Sequence, residues 1–200
     1  MGEINSHTIK EAKIFVSNVL DTQLSENCVF HTKSHTFDVL KNVELIGKFY
    51  NFKNDDLNIL RLCALFHDVG YVKVYAEHEL ESSSMAIDFL RLKLIDESSI
   101  KIISTAILAT KIPQYPIDLF SKILCDADLM HLTYDNYFEQ IDLMRQEWNL
   151  TGIVSFNKKE FHINSIKFFK SHKYHSEYGK MVLQPKKEKN LKLIENKLRK

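Results

Sequence analysis

The chain has 200 residues, enough to bury one hydrophobic core and within the usual size of a single domain. Lys and Arg together number 27 and Asp and Glu 26, a formal charge of +1, so no global positive field exists for nucleic acid or an anionic membrane and any anionic ligand must be met locally. Five glycines and three prolines, among long stretches of Leu, Ile, Lys and Glu, exclude a chain dominated by strands and tight turns.

From Ile4 to Leu20 apolar residues recur every three to four positions (Ile9, Ala12, Val16, Val19), which predicts an amphipathic packing helix. Phe37, Leu40, Val43, Ile46 and Phe49 mark a second helix beginning near His35. Asp55 is the expected N-cap of a third, through Leu57, Leu60 and Leu65, which carries His67 and Asp68 near its end with Gly70 as a left-handed cap. Ser82 to Leu94 and Ser98 to Ala109 read as two further helices, the second stopped by Pro113 and Pro116. Helical spacing returns around Leu119 to Leu129, Tyr137 to Leu150, Lys158 to Phe169 and Lys186 to Leu198, the Lys-rich last segment reading as a helix with a solvated face and not as a nucleic-acid tail. No repeat or spanning segment interrupts the pattern. Cys28, Cys63 and Cys125 have no paired spacing and no leader-like run precedes them, so they are expected to be reduced thiols in a cytoplasmic protein. Two of them, Cys63 and Cys125, lie in apolar runs where a thiol is a small core residue.

Candidate metal ligands fall in three segments: His35 opening a helix, His67 with Asp68 closing another, and Asp128 in the run Ile-Leu-Cys-Asp-Ala-Asp-Leu. Neighbouring residues on a regular helix diverge by about 100°, so His67 and Asp68 can face one ion only where the backbone unwinds, which Gly70 makes cheap. Leu62, Ala64, Leu65 and Phe66 drive that helix into a core just before two polar groups that need partners there. Two imidazoles and two carboxylates suit Mn, Fe, Co, Ni or Zn better than Ca. For Asp128 the spacing leaves an alternative open, since Asp126 or Asp128 could equally be a surface or capping carboxylate.

The segment Leu60 to Gly70, reading Leu-Arg-Leu-Cys-Ala-Leu-Phe-His-Asp-Val-Gly, resembles the hallmark of the HD superfamily, whose pattern is H…HD…D. Phe30-His31-Thr32-Lys33-Ser34-His35 is similar to the YHNxxH element of cyclic-nucleotide phosphodiesterases and related HD proteins, and Asp126-Ala127-Asp128-Leu129 looks like the helix bearing the last ligand. Glu79 with Ser82, Ala109 with Thr110, and Arg145, Glu147 and Trp148 resemble motifs of bacterial predicted metal-dependent HD phosphohydrolases. The resemblance implies an all-α single HD-domain helical bundle and one divalent ion (Mn, Fe, Co, Ni, Zn or Mg) on His35, His67, Asp68 and Asp128.

Against that pattern, Thr32 and Phe30 replace the Asn and Tyr of the YHN element, removing hydrogen bonds that would orient His31. His31 is still the expected general acid, one helical turn from His35, with a surface loop histidine as its alternative. Lys111 stands where relatives that bind two metals place a further histidine, which favours one ion, although His78 among Glu77, Glu79 and Glu81 could restore a ligand. Glu79 is expected to orient or deprotonate the attacking water, and Asp68 to accept its proton as well as ligate. Lys73, Lys111 and Arg145 are expected to offer charge to phosphate oxygens, and His131, His162, His172 and His175 to lie outside the site. Trp148 and the stripe from Tyr134 to Phe138 read as core.

These residues make the expected protein one domain over 1–200, with a core at about 24–150 and C-terminal helices at 151–200 packed on it. It is expected to hydrolyse a small nucleotide or related phosphoester, with no nucleic-acid or membrane partner; a homodimer is compatible, though no stripe marks an interface. The rival is a regulatory module that keeps the fold and the metal without turnover, favoured if Thr32 and Lys111 mark a dismantled site.

Overall fold

The computed structural model describes residues 2–198, so the last two residues of the C-terminal segment expected over 151–200 lie outside it. Among the described residues there are α-helices and short 3-10 and π turns, and no strand. The helices are α1 (Ser6–Gln23), α2 (Lys33–Phe49), α3 (Asn54–Phe66), α4 (His78–Leu92), α5 (Glu97–Leu108), α6 (Leu119–Asp128), α7 (Tyr137–Thr151), α8 (Lys158–Ser171) and α9 (Gln184–Leu198).

The architecture is organised around α3. Leu60, Leu62, Cys63, Ala64, Leu65 and Phe66 are all fully buried, because α1, α2, α4, α5 and α6 each pack against this one helix. Beyond Arg61 the helix is apolar on every side, as a central helix is, and its C-terminal end therefore delivers His67 and Asp68 into the interior. Its start differs from expectation. Lys53, not Asp55, occupies the N-cap position, and Asp55 and Asp56 sit in the first turn, where their charge complements the helix dipole.

The chain then unwinds into a 3-10 turn over Val69–Val72. Gly70 is not the left-handed cap expected of it, since the described glycine with positive φ is Gly152. It is needed for close approach: a Cβ on Gly70 would lie 2.2 Å from the His78 carbonyl oxygen and 2.7 Å from the Ser82 nitrogen. Its own N–H donates to Ser82 Oγ at 2.8 Å, tying the turn to α4. That helix starts at His78, ahead of the expected Ser82, because its first turn is polar and carries no apolar period.

Asp118 caps α6 reciprocally with Ser121, and the helix ends on Asp128. Asp126 is neither a surface nor a capping carboxylate. It is fully buried and accepts the backbone N–H of His175 at 2.7 Å and of Ser176 at 2.8 Å, which anchors the C-terminal segment to the bundle. Burial pushes its carboxyl up to about 6 against the opposing pull of those bonds. A Cβ on Gly179 would fall 2.1 Å from Asp126 Oδ2. Gly179→Ala is therefore expected to cost about 1–3 kcal/mol through overpacking, read as a Tm several degrees lower by circular dichroism; an unchanged Tm would contradict this packing.

The Lys-rich C-terminal helix is solvated on much of its surface, with Lys187 as an exception. This side chain is fully buried and its ammonium donates to the carbonyls of Phe169, at 3.1 Å, and His172, closing the C-terminal end of α8. One set of buried apolar side chains runs without a break from Ile9 to Ile194. No described helix is long and apolar enough to cross a membrane.

Candidate metal centre

Three elements deliver the chemistry to one point. His35 lies in the first turn of α2, His67 follows the last residue of α3, and Asp128 closes α6. Single ligand atoms of His35, His67 and Asp128 all lie within 4.8 Å of one another, so these three side chains can coordinate one divalent metal ion. His35 Nε2 is 3.1 Å from Asp128 Oδ1 and 3.4 Å from His67 Nε2.

Two observations test whether the donors suit a cation. His67 Nδ1 is 2.8 Å from the Ala64 carbonyl, which can only accept, so Nδ1 carries the proton and Nε2 can present a lone pair to the centre. Asp68 Oδ2 is buried without a hydrogen bond although it lies 3.3 Å from His35 Nε2 and 3.1 Å from His67 Nε2. A desolvated carboxylate oxygen beside two imidazole nitrogens is a costly arrangement for protein alone and a natural one around a positive ion.

The fields are strong. Burial opposes charge on His35, but its hydrogen bond to Asp128 and the negative charges of Asp68 and Asp128 hold it up at about 9. His67 is likewise raised despite burial, and the same attraction keeps Asp68 and Asp128 below the usual carboxylate range.

Beyond the ligands, Asp68 Oδ1 is 3.4 Å from His78 Nε2. Tyr71, supplied by the 3-10 turn, is sandwiched between two imidazoles, stacking on His78 at 3.8 Å and on His31 at 4.4 Å between ring centroids. His31 is not a loose surface histidine. Its Nδ1 makes a short contact with Glu147 Oε1, and Glu147 Oε2 accepts the backbone N–H of Phe30 at 2.7 Å and of His31 at 2.9 Å. Tyr75 OH donates to Glu147 Oε1 at 2.7 Å. Glu147, fully buried in α7, thus supplies the orientation that Phe30 and Thr32 do not.

Asp68 and Asp128 of the centre line a cavity of about 550 Å³. His31, His78 and Glu79 line it with them, as do Lys111 and Glu77, and Tyr75, Ile141, Trp148, Phe161 and Phe168 form much of the remaining wall. Trp148, expected to be core, packs against the core and also borders the cavity. Of the expected cations, Lys111 is engaged by Glu77 at 2.6 Å. Lys73 pairs with Glu81 at 2.9 Å and Arg145 with Asp142 at 3.0 Å, and neither belongs to the lining. His131, expected outside, lines the cavity, with Nδ1 3.0 Å from the Asp128 carbonyl; burial and the charge on His35 hold its pKa down at about 4. Sequence reasoning assigned no role to Glu147, Tyr71 or Tyr75. The signal for Glu147 was its place in the Arg-x-Glu-aromatic motif.

The HD domain family matches residues 32–133, a segment that contains His35, His67, Asp68 and Asp128 and ends before α7. A predicted HD superfamily hydrolase from an uncultured Thermotogales bacterium has a similar crystal structure, with a TM-score of 0.62 and 17% identity over 95% of this chain and 88% of that one. At that identity the likeness speaks for the fold alone. No curated protein matches the chain.

Proposed function

This chain belongs to the HD domain family, and from that premise we propose that it is a metal-dependent phosphohydrolase acting on a small phosphoester, with small nucleotides the first compounds to screen. The observation that carries this reading is the buried, unbonded Asp68 Oδ2 facing the two imidazole nitrogens, on a residue that lines the same cavity as His31. We read residues 2–198 as one folding unit, supported by the continuous core, and three buried free thiols suit a reducing cytoplasm.

His35, His67 and Asp128 would hold the ion, with Asp68 as the fourth ligand, and a bound divalent ion would supply Lewis acidity toward a phosphate oxygen and a lowered pKa for water. Asp68 Oδ1, 3.4 Å from His78 Nε2, would accept a proton from the attacking water, and buried Glu79, whose Oε2 is 3.7 Å from His78 Nδ1 in the same lining, would orient that water. His31 has Nδ1 committed to Glu147, which leaves Nε2 to give a proton to the departing oxygen while Glu147 steadies the ring. Lys111, balanced by Glu77, stands at the cavity as the cation a phosphate would meet.

His31→Asn separates the roles. It removes the proton donor and leaves the ligands, so turnover is expected to fall about 10²–10⁴-fold while metal content is unchanged. The measurement is phosphate release with Mn²⁺ from nucleotides, cyclic nucleotides and simple phosphoesters. Turnover by His31→Asn equal to wild type would remove His31 from the chemistry. Bound metal with no turnover of any ester by wild type would favour the regulatory module.

A further inference from the structure

The wall of the cavity carries information that the metal centre does not. Away from the ligands it is built from Tyr75, Ile141, Trp148, Phe161 and Phe168, and this apolar lining reaches the mouth, where Ile112 is 53% and Ile153 47% exposed. α7, α8 and the loop between them, which supply Ile141, Trp148, Ile153, Phe161 and Phe168, lie outside the segment matched by the family. At about 550 Å³ the space is that of a pocket which encloses an organic ligand of moderate size.

Charge narrows the ligand from the other side. Among the described lining residues Lys111 is the single Lys or Arg, and Glu77 already holds it, whereas Asp68, Glu77, Glu79 and Asp128 are all acidic. A di- or triphosphate needs several cations along its length. This wall offers one centre for one phosphoryl group.

Resting on the phosphohydrolase reading above, we propose that the substrate is a monophosphate ester of an apolar alcohol or phenol, whose hydrocarbon or aromatic body fills the space between Trp148, Phe161 and Phe168. Water oxygen forms the new bond to phosphorus as the bond from phosphorus to the ester oxygen breaks. The electron pair leaves on that oxygen, which takes a proton from His31, and the water's own proton passes to Asp68. The products are the free alcohol and inorganic phosphate. An apolar body then contributes binding free energy that a short ester cannot, about fourfold in affinity for each buried CH₂.

Trp148 is the single tryptophan and borders the cavity, so its fluorescence reports binding without turnover. Full-length protein with Zn²⁺ would be titrated with ethyl, butyl, hexyl and octyl phosphate, 2-naphthyl phosphate, AMP and ATP, and phosphate release measured for each. The expected result is a gain of about fourfold per CH₂ until the cavity is full, with octyl or naphthyl phosphate favoured over AMP and ATP weakest. The variant I112N/I153N, altered only at the exposed mouth, is expected to lose several-fold of octyl phosphate's advantage over ethyl phosphate. Affinity independent of chain length, or ATP bound as tightly as octyl phosphate, would overturn the proposal, and hydrolysis of AMP under those conditions would leave the phosphohydrolase reading intact. Conversely, chain-length-dependent binding with no phosphate released from any ester would support the apolar subsite and count against hydrolysis.

Discussion

His67→Ala is expected to strip the chain of bound metal and of turnover together. His67 Nε2 faces His35 Nε2 at 3.4 Å and Asp68 Oδ2 at 3.1 Å, and its other nitrogen is fixed on the Ala64 carbonyl, so the lost donor is one that the fold holds aimed at the centre. Loss of an outer hydrogen-bond partner to a ligand costs roughly 10–100-fold in metal affinity; loss of the ligand itself should exceed that. The fold should survive, because α3 is held by its own buried apolar residues from Leu60 to Phe66. Isothermal titration with Zn²⁺ gives the affinity, and circular dichroism gives the helix content. Wild-type affinity in His67→Ala would contradict the assignment.

The same site sets a pH dependence. In the metal-free chain His35 is held at about 9, above its ordinary 6.5. The stabilisation from its proton is complete below about 6.5 and disappears as pH rises through about 9. Metal uptake must displace that proton, so apparent metal affinity is expected to climb across this interval.

Glu147→Gln carries the second large effect. The carboxylate accepts from four donors: the backbone N–H of Phe30 and of His31, the Nδ1–H of His31 and the Tyr75 hydroxyl. An amide has one acceptor oxygen, and its NH₂ would be set against groups that themselves donate. Each buried donor left unsatisfied costs about 1–3 kcal/mol, so a loss of at least that size is expected in chemical denaturation. His31 would also lose the partner that fixes its ring, and turnover should fall by about 10-fold or more with metal still bound. Unchanged stability and unchanged kcat would show that Glu147 does not hold the His31 segment.

Local patterns were readable in advance, while of the distant pairings only the ligand set implied by the H…HD…D resemblance was. Helices with an apolar stripe, such as the one through Val39, Leu40, Val43 and Ile46, could be placed because their period survives in sequence. The pair His67-Asp68 stood out because the fully buried Leu62 to Phe66 run leads straight into it. Glu147 could not be given its role, since its partners at Phe30 and His31 are 117 and 116 residues away. Asp126 failed for the same reason, as it binds backbone 49 and 50 residues further on. Gly70 was read as a left-handed cap, which it is not, and as the point where the helix unwinds, which it is; its close approach to α4 was hidden because sequence shows a missing side chain and not which neighbour fills its place. The expected phosphate cations Lys73 and Arg145 find acidic partners in Glu81 and Asp142, which a count of charges along the chain does not reveal.

The central claim is that His35, His67 and Asp128 converge to hold one divalent ion. Elemental analysis of the purified full-length chain after reconstitution with Zn²⁺ or Mn²⁺ and desalting, beside Asp128→Ala treated identically, tests it most directly. About one equivalent of metal per chain in wild type and almost none in the variant is the predicted result. Equal metal in both proteins, or none in wild type, would contradict it.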